Sequence, residues 1–204
     1  MIIEYLSGDG SYDSDECISL LQEADIVVTN PPFSLFRDYV KCLMDYGKKF
    51  IIIGNMNAIT YKEIFPYIKN NRLWLGVNEK GGTRKGNSMS FTNENGEKLD
   101  VSSWWYTNID NKRRNTPLDL YKKYNAEEYP KYDNYDAIEC GRSCEVPMDY
   151  EGVVGVPISF LMFHCPTQFE IIKFRKGDDD KDLSVNGKCP YFRILIKRVF
   201  KKHE

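Results

Sequence analysis

Adjacent prolines at 31 and 32 follow the β-branched run Ile26-Val27-Val28-Thr29 after a single residue, Asn30, and they constrain the chain more than any other feature. Each proline fixes φ near about −65° and removes a backbone donor, so neither can continue a central strand or enter a helix interior. The apolar run therefore stops at Asn30, and the carbonyls that follow are held in fixed directions. Phe33 comes next, and Ser34 stands where a following helix takes its cap. Taken alone, the segment reads as a strand stop followed by a helix start. Its rigidity also suits a site that must hold one polar group in a set direction.

The flanking sequence predicts strands alternating with helices. Ile2 to Leu6 reads as a strand, and Asp13-Ser14-Asp15-Glu16 has the cap-and-glutamate spacing of a helix start before Ile18, Leu20 and Leu21. A strand is expected over Asp25 to Thr29. Leu35, Phe36, Tyr39, Val40, Leu43 and Met44 then fall on one helical face, with Gly47 as the stop before a buried strand at Phe50 to Ile53. Thr60-Tyr61-Lys62-Glu63 opens another helix that turns Ile64, Phe65 and Ile68 inward, and a strand follows at Leu73 to Val77. Such alternation implies an α/β fold with a parallel sheet covered on both faces and ligands at the carboxyl ends of the strands, where Asn30 falls. From about Gly76 the pattern changes. Gly81-Gly82, Gly86-Asn87 and Asn93 to Gly96 read as turns around short strands near Ser88 to Phe91 and Val101 to Tyr106. The expected division is thus a regular part over residues 1–77 and a more irregular, β-rich part over 78–204, in which Gly177 to Asp182 is an acidic, solvent-exposed turn.

An apolar strand running into Asn-Pro-Pro-aromatic resembles the active-site signature of enzymes that methylate amino groups on nucleobases. Longer stretches resemble the family of adenine-specific DNA methyltransferases typified by the EcoRI modification methylase. These are Ser14 to Ile18, Glu23 to Phe36, Lys49 to Phe65, Trp104 to Asn108, Tyr129 to Ile138 and Gly155 to Leu161. The resemblance implies a Rossmann-like methyltransferase core over 1–77, target recognition and completion of the same domain over 78–204, S-adenosylmethionine as methyl donor, and double-stranded DNA with a flipped adenine as substrate. It places Asn30, Pro31, Pro32 and Phe33 at the base, in a restriction-modification or related role. The chemistry accounts for these residue types. An adenine N6 lone pair is delocalised into the ring; acceptors such as the Asn30 side-chain oxygen and the Pro31 carbonyl favour a more pyramidal, nucleophilic nitrogen. Phe33 is the candidate stacking face for the flipped base.

Members of that family carry a further stretch upstream of Asn-Pro-Pro-Phe that supplies the first strands of the sheet and much of the cofactor pocket. The segment before Asp25 has room for one strand and one helix, since a βαβ unit takes roughly 30 residues, so the N-terminal strands are expected to be missing. Two further readings follow: a catalytically inactive remnant acting as a DNA- or partner-binding module, and a second polypeptide that completes the sheet. Gly8-Asp9-Gly10 reads as a simple turn. By position it also resembles the acidic loop bordering the cofactor adenine, which makes Asp9 a candidate cofactor contact.

Composition narrows the remaining classes. A chain of 204 residues, 42% hydrophobic and 14% aromatic, can bury one sizeable core. No run of about 18 apolar residues and no basic-then-apolar leader occurs, so neither a membrane span nor a secretory signal is supported and a cytoplasmic protein is expected. The net charge of −2 leaves only local basic groups to meet phosphates: Lys112-Arg113-Arg114, Lys122-Lys123, and the tail from Arg193 to Lys202. Tyr121, Tyr124, Tyr129, Tyr132 and Tyr135 interleave with lysines, a mixture that suits either base stacking or core packing. The cysteines, Cys17, Cys42, Cys140, Cys144, Cys165 and Cys189, form no C-x-x-C pair, and Cys140, Cys144 and His164-Cys165 lack the usual zinc spacing, so neither a disulfide nor a metal site is expected. With only His164 and His203, a hydrolytic triad has no support.

Overall fold

The computed structural model of the chain describes residues 6–77, 89–101 and 103–200. The strand expected at Ile2 to Leu6 and the glycine turns at 81–82 and 86–87 lie largely outside these residues. The chain divides into two units, residues 1–109 and 110–204.

In the first unit, α1 (Asp15–Glu23) starts within the expected stretch but one residue later than the Asp13-to-Glu16 spacing places its cap, with the Ser14 hydroxyl accepting the Cys17 N–H at 3.2 Å. Glu16 does not reach back to the cap. Its carboxylate accepts the N–H groups of Ser7 at 3.0 Å and Gly8 at 3.2 Å and so pins the preceding loop. The carbonyls at the far end of α1, which have no intrahelical donors, are met by Lys48, whose Nζ donates to Gln22 O at 2.7 Å and Ala24 O at 3.0 Å. β1 (Ile26–Thr29) follows, then α2 (Phe36–Asp45), whose buried residues Phe36, Val40, Leu43 and Met44 fall on one helical face. Gly47, at φ 64°, ends the helix as expected, and the Lys48 N–H returns to Leu43 O at 2.9 Å.

β2 (Lys49–Asn55) buries alternate residues Phe50, Ile52 and Gly54. A 3₁₀ turn (Met56–Thr60) leads to the short α3 (Phe65–Lys69), where Ile64 and Ile68 face inward and Phe65 is half-buried. After β3 (Trp74–Leu75) come a hairpin, β4 (Met89–Thr92) with β5 (Lys98–Val101), and then β6 (Ser103–Thr107).

The sheet of this unit has the order β1-β2-β6-β3 and is mixed rather than parallel. β1 pairs parallel with β2, from Ile26 opposite Lys49 to Thr29 opposite Ile52. β6 is antiparallel to both β2 and β3. Because both neighbours oppose β6, the strands β1, β2 and β3 share one direction, as alternation with helices requires. The inserted β6 comes from beyond residue 77, and its almost fully buried Ser103-Trp104-Trp105-Tyr106-Thr107 gains a paired strand on each side. Periodicity reports such burial but not the partners. Nor is the sheet covered throughout: among the described residues β1 lies at the edge, its Ile26 and Val28 are 51% and 67% exposed, and α1 buries none of its residues.

The second unit is built on β7 (Ala137–Glu139), β8 (Val153–Pro157), β9 (Phe169–Phe174) and β10 (Arg193–Arg198) in the order β7-β8-β10-β9. β7 pairs parallel with β8; the other pairings are antiparallel. The buried ring of Tyr132 lies against Gly155, where an added Cβ would come within 1.9 Å of the phenol oxygen. That phenol donates to Glu139, and burial, then the adjacent carboxylate, holds its pKa well above the ordinary range. Glu139 in turn accepts from Arg193 Nη2 at 2.7 Å and Nε at 2.8 Å, the two side chains being 14% and 13% exposed. The acidic turn is tethered rather than free. Asp182 pairs with Arg175 at 2.7 Å, and Asp179 accepts from Asn134 Nδ2 at 2.9 Å.

Removing one member of a buried ion pair strands the other without compensation. Arg193→Met is therefore expected to lower the unfolding free energy of this unit by about 3 kcal/mol or more in urea denaturation; a loss below about 1 kcal/mol would show that Glu139 finds another partner or reaches water.

His164 provides a second test. It is buried beside Phe160, and its Nε2 donates to Phe169 O at 2.9 Å. Burial depresses its pKa below the usual 6.5, so the neutral ring is the folded form. The unfolded chain then binds a proton that the folded chain refuses, and stability falls as pH drops through about 6.5. Between pH 7.5 and 5, the melting temperature of the wild type is expected to fall more steeply than that of His164→Gln. Parallel curves would assign the pH dependence to other groups.

Candidate functional site

The parallel register that sets Thr29 beside Ile52 brings the chain out of β1 alongside Ile53, Gly54 and Asn55, so the carboxyl ends of two neighbouring parallel strands lie together. Asn30 is exposed at the end of β1, Pro31 is buried, and Pro32 and Phe33 are exposed. The Phe33 ring is 37% exposed, which leaves part of it available for stacking. Two turn bonds order the segment: the Leu35 N–H donates to Pro32 O at 3.0 Å and the Phe36 N–H to Phe33 O at 3.4 Å. Ser34 does not cap the following helix. The N-cap position is Leu35, with no side-chain bond.

The strand beside it contributes groups that sequence reasoning left without roles. Asn55 closes β2, and its Oδ1 accepts the Asn57 N–H at 2.8 Å, which orders the 3₁₀ turn. Tyr106, fully buried on β6, donates its hydroxyl to Asn55 O at 2.8 Å. Burial raises the pKa of that phenol well above the ordinary value, so it remains a neutral donor. Asn55 was visible just past the expected strand Phe50 to Ile53. Its place beyond the end of β1 was not, because it depends on strand pairing.

The other expected residues fall elsewhere in the fold. Asp9 is exposed in the loop before α1, where its Oδ1 accepts the Ser11 N–H at 2.9 Å and forms a local turn. Arg113 is engaged inside the second unit: its Nε donates to Met162 O at 3.1 Å and its guanidinium lies 4.9 Å from the Phe163 ring centre. Arg114 is half-buried, which lowers its pKa, whereas Lys112 is exposed. Lys122 pairs with Glu128, and Lys123 is exposed. Of the five tyrosines interleaved with lysines, Tyr129 and Tyr132 are buried, Tyr124 packs on Tyr150, Tyr135 lies under Lys173, and Tyr121 is exposed. The six cysteines are free thiols, and no group of three potential metal ligands converges among the described residues. No helix among the described residues is long and apolar enough to cross a membrane.

The family model for the adenine-specific methyltransferase EcoRI matches residues 1–199. The chain belongs to the EcoRI family of adenine-specific methyltransferases. Within this family it is 52% identical over 203 aligned residues to the type II methyltransferase M.EcoRI of Escherichia coli, an alignment covering 93% of the chain and 62% of that relative. It is 36% identical to the type II methyltransferase M.MgeORF184P of Mycoplasma genitalium and 35% identical to M.MpnI of Mycoplasma pneumoniae, each alignment covering 95% of the chain and 70% of the relative. The chain thus spans less than two thirds of M.EcoRI. No solved structure matches.

Proposed function

We propose that Asn30, Pro31, Pro32 and Phe33 form the base pocket of an enzyme that transfers a methyl group from S-adenosylmethionine to the N6 amine of adenine in double-stranded DNA, as part of restriction-modification or a related DNA modification. The observation that carries this reading is the position of Asn30-Pro31-Pro32-Phe33 at the carboxyl end of a parallel strand pair in a chain of this family. The target base leaves the duplex to enter the pocket. The Asn30 carboxamide oxygen and the Pro31 carbonyl accept the two N6 hydrogens, and Phe33 stacks on the ring. These contacts raise the nucleophilicity of N6 and aim its lone pair. Much of the rate then comes from holding amine and methyl in line, which needs no strong base because the N6 proton leaves after transfer.

S-adenosylmethionine supplies an electrophilic sulfonium methyl when bound. Among this chain's residues, the exposed Asp9 carboxylate fits an acceptor for a hydroxyl or amine of such a donor, one of its oxygens being already held by Ser11. The Rossmann-like sheet of the reading is larger than the four strands described. Further strands, from a longer form of the chain or a second polypeptide, would pair along the open side of β1. The exposure of Ile26 and Val28 also favours a second reading, in which this chain is a DNA- or partner-binding module that transfers no methyl group by itself.

The deciding experiment is transfer of labelled methyl from S-adenosylmethionine to unmethylated mixed-sequence DNA by the wild type and by Asn30→Ala. The expected result is label recovered as N6-methyladenine, reduced by about 100-fold or more in the variant. A folded wild-type chain that transfers no label overturns catalysis by this chain alone and favours the binding-module reading. Equal transfer by the variant would remove Asn30 from the pocket.

A further inference from the structure

We propose that Phe36 is the positioning residue of the Asn30–Phe33 pocket, seated in a notch that Gly54 leaves in β2 and locked there by Tyr106. The inference rests on the base-pocket reading and specifies how that pocket is held. Phe36, the first residue of α2, is 1% exposed. A Cβ built on Gly54 would lie 2.3 Å from its Cε2, 2.6 Å from Cζ and 2.9 Å from Cδ2, so the ring occupies the volume that any side chain at position 54 would need. Tyr106 closes the other side of the seat. Its ring meets Phe36 edge-on with centroids 4.9 Å apart, and its hydroxyl holds Asn55 O, which keeps the end of β2 down against the ring.

The seat acts on the pocket through a short, stiff connection. At one end Thr29 is fixed by its pairing with Ile52; at the other Phe36 is fixed in the notch. Residues 30–35 bridge the two anchors. Two of them are prolines with φ already set, and bonds from Leu35 to Pro32 and from Phe36 to Phe33 tie the helix start to the pocket backbone. A displaced Phe36 therefore carries the Pro31 carbonyl and the Phe33 ring with it. A residue that only filled the core would cost stability and leave turnover per folded molecule unchanged.

The test is a double-mutant cycle of Gly54→Ala and Phe36→Leu in the 204-residue chain, reading kcat and KM for methyl transfer to unmethylated DNA together with the melting temperature. Gly54→Ala is expected to lower kcat by about 10- to 100-fold with KM for DNA changed less than about twofold. Adding Phe36→Leu vacates the space the new methyl needs and is expected to restore kcat by about tenfold. Unchanged kcat in folded Gly54→Ala, or a double variant no better than the single, overturns the proposal. Should the wild type transfer no methyl, the base-pocket reading fails as catalysis by this chain, and the seat is read from the Asn30 side-chain amide resonances by NMR. Resonances that shift in Gly54→Ala and return toward wild type in the double variant sustain the positioning role; unmoved resonances overturn it.

Discussion

The parallel pairing of β1 with β2 is the constraint on which the candidate site depends. Four registered positions fix where β1 stops relative to its neighbour, and α2 must then return over the sheet to carry the chain from one strand to the next. That crossover buries Phe36, Val40, Leu43 and Met44. It also fixes both ends of the intervening Asn-Pro-Pro-Phe segment. Without the pairing, Asn30 would be one polar residue in a surface loop. With it, the residue stands at the carboxyl end of a parallel strand pair, beside the last residues of β2, whose end is fastened by a tyrosine from β6.

Features decided within a few residues were legible in the sequence. A helix starts within the Asp13-to-Glu16 stretch with Ser14 as its cap, Gly47 takes the left-handed conformation after α2, and Phe36, Val40, Leu43 and Met44 of the expected α2 face are buried, although Leu35, also expected there, is 40% exposed. What escaped was decided by residues far apart. Trp104 to Tyr106 read as a strand, yet nothing local says that it lies antiparallel between β2 and β3. Val28 has the side chain of a core residue and lies mostly in solvent, because burial depends on a neighbour and not on hydrophobicity. The Asp13-to-Glu16 spacing suits a reciprocal cap, but the helix cap falls one residue later, at Ser14, which leaves Glu16 short of the capping position and its carboxylate on the N–H groups of Ser7 and Gly8. The tyrosines from 121 to 135 show the same limit: their spacing fits an exposed stacking surface as well as it fits the packing that Tyr129 and Tyr132 adopt.

The second unit is held in a different manner, with polar contacts anchoring long irregular stretches. Asp133 accepts the Gly187 N–H at 2.8 Å and the Ser184 hydroxyl at 2.9 Å, which lowers its pKa and fastens residues distant in sequence. Gln168 brackets Leu118, its Oε1 accepting the N–H at 2.7 Å and its Nε2 donating to the carbonyl at 2.8 Å. Such bonds contribute little net stability each but are directional, and they select one path for backbone that has no helix or ladder to guide it. Several basic residues that looked free for phosphate are occupied in this way: Arg113 at Met162 O, Lys122 at Glu128 and Arg193 at Glu139.

The two prolines also set a limit on what may join the open side of β1. A strand adding there finds both donors and acceptors along β1, but Pro31 and Pro32 offer carbonyls and no N–H groups. Regular pairing is therefore weakened beyond Asn30. The prolines of the proposed base pocket thus also make regular pairing beside it less favourable. An edge as apolar as Ile26 and Val28 can accept a neighbour, in assembly or in error, and the best-paired part of that contact would end short of the Asn-Pro-Pro segment.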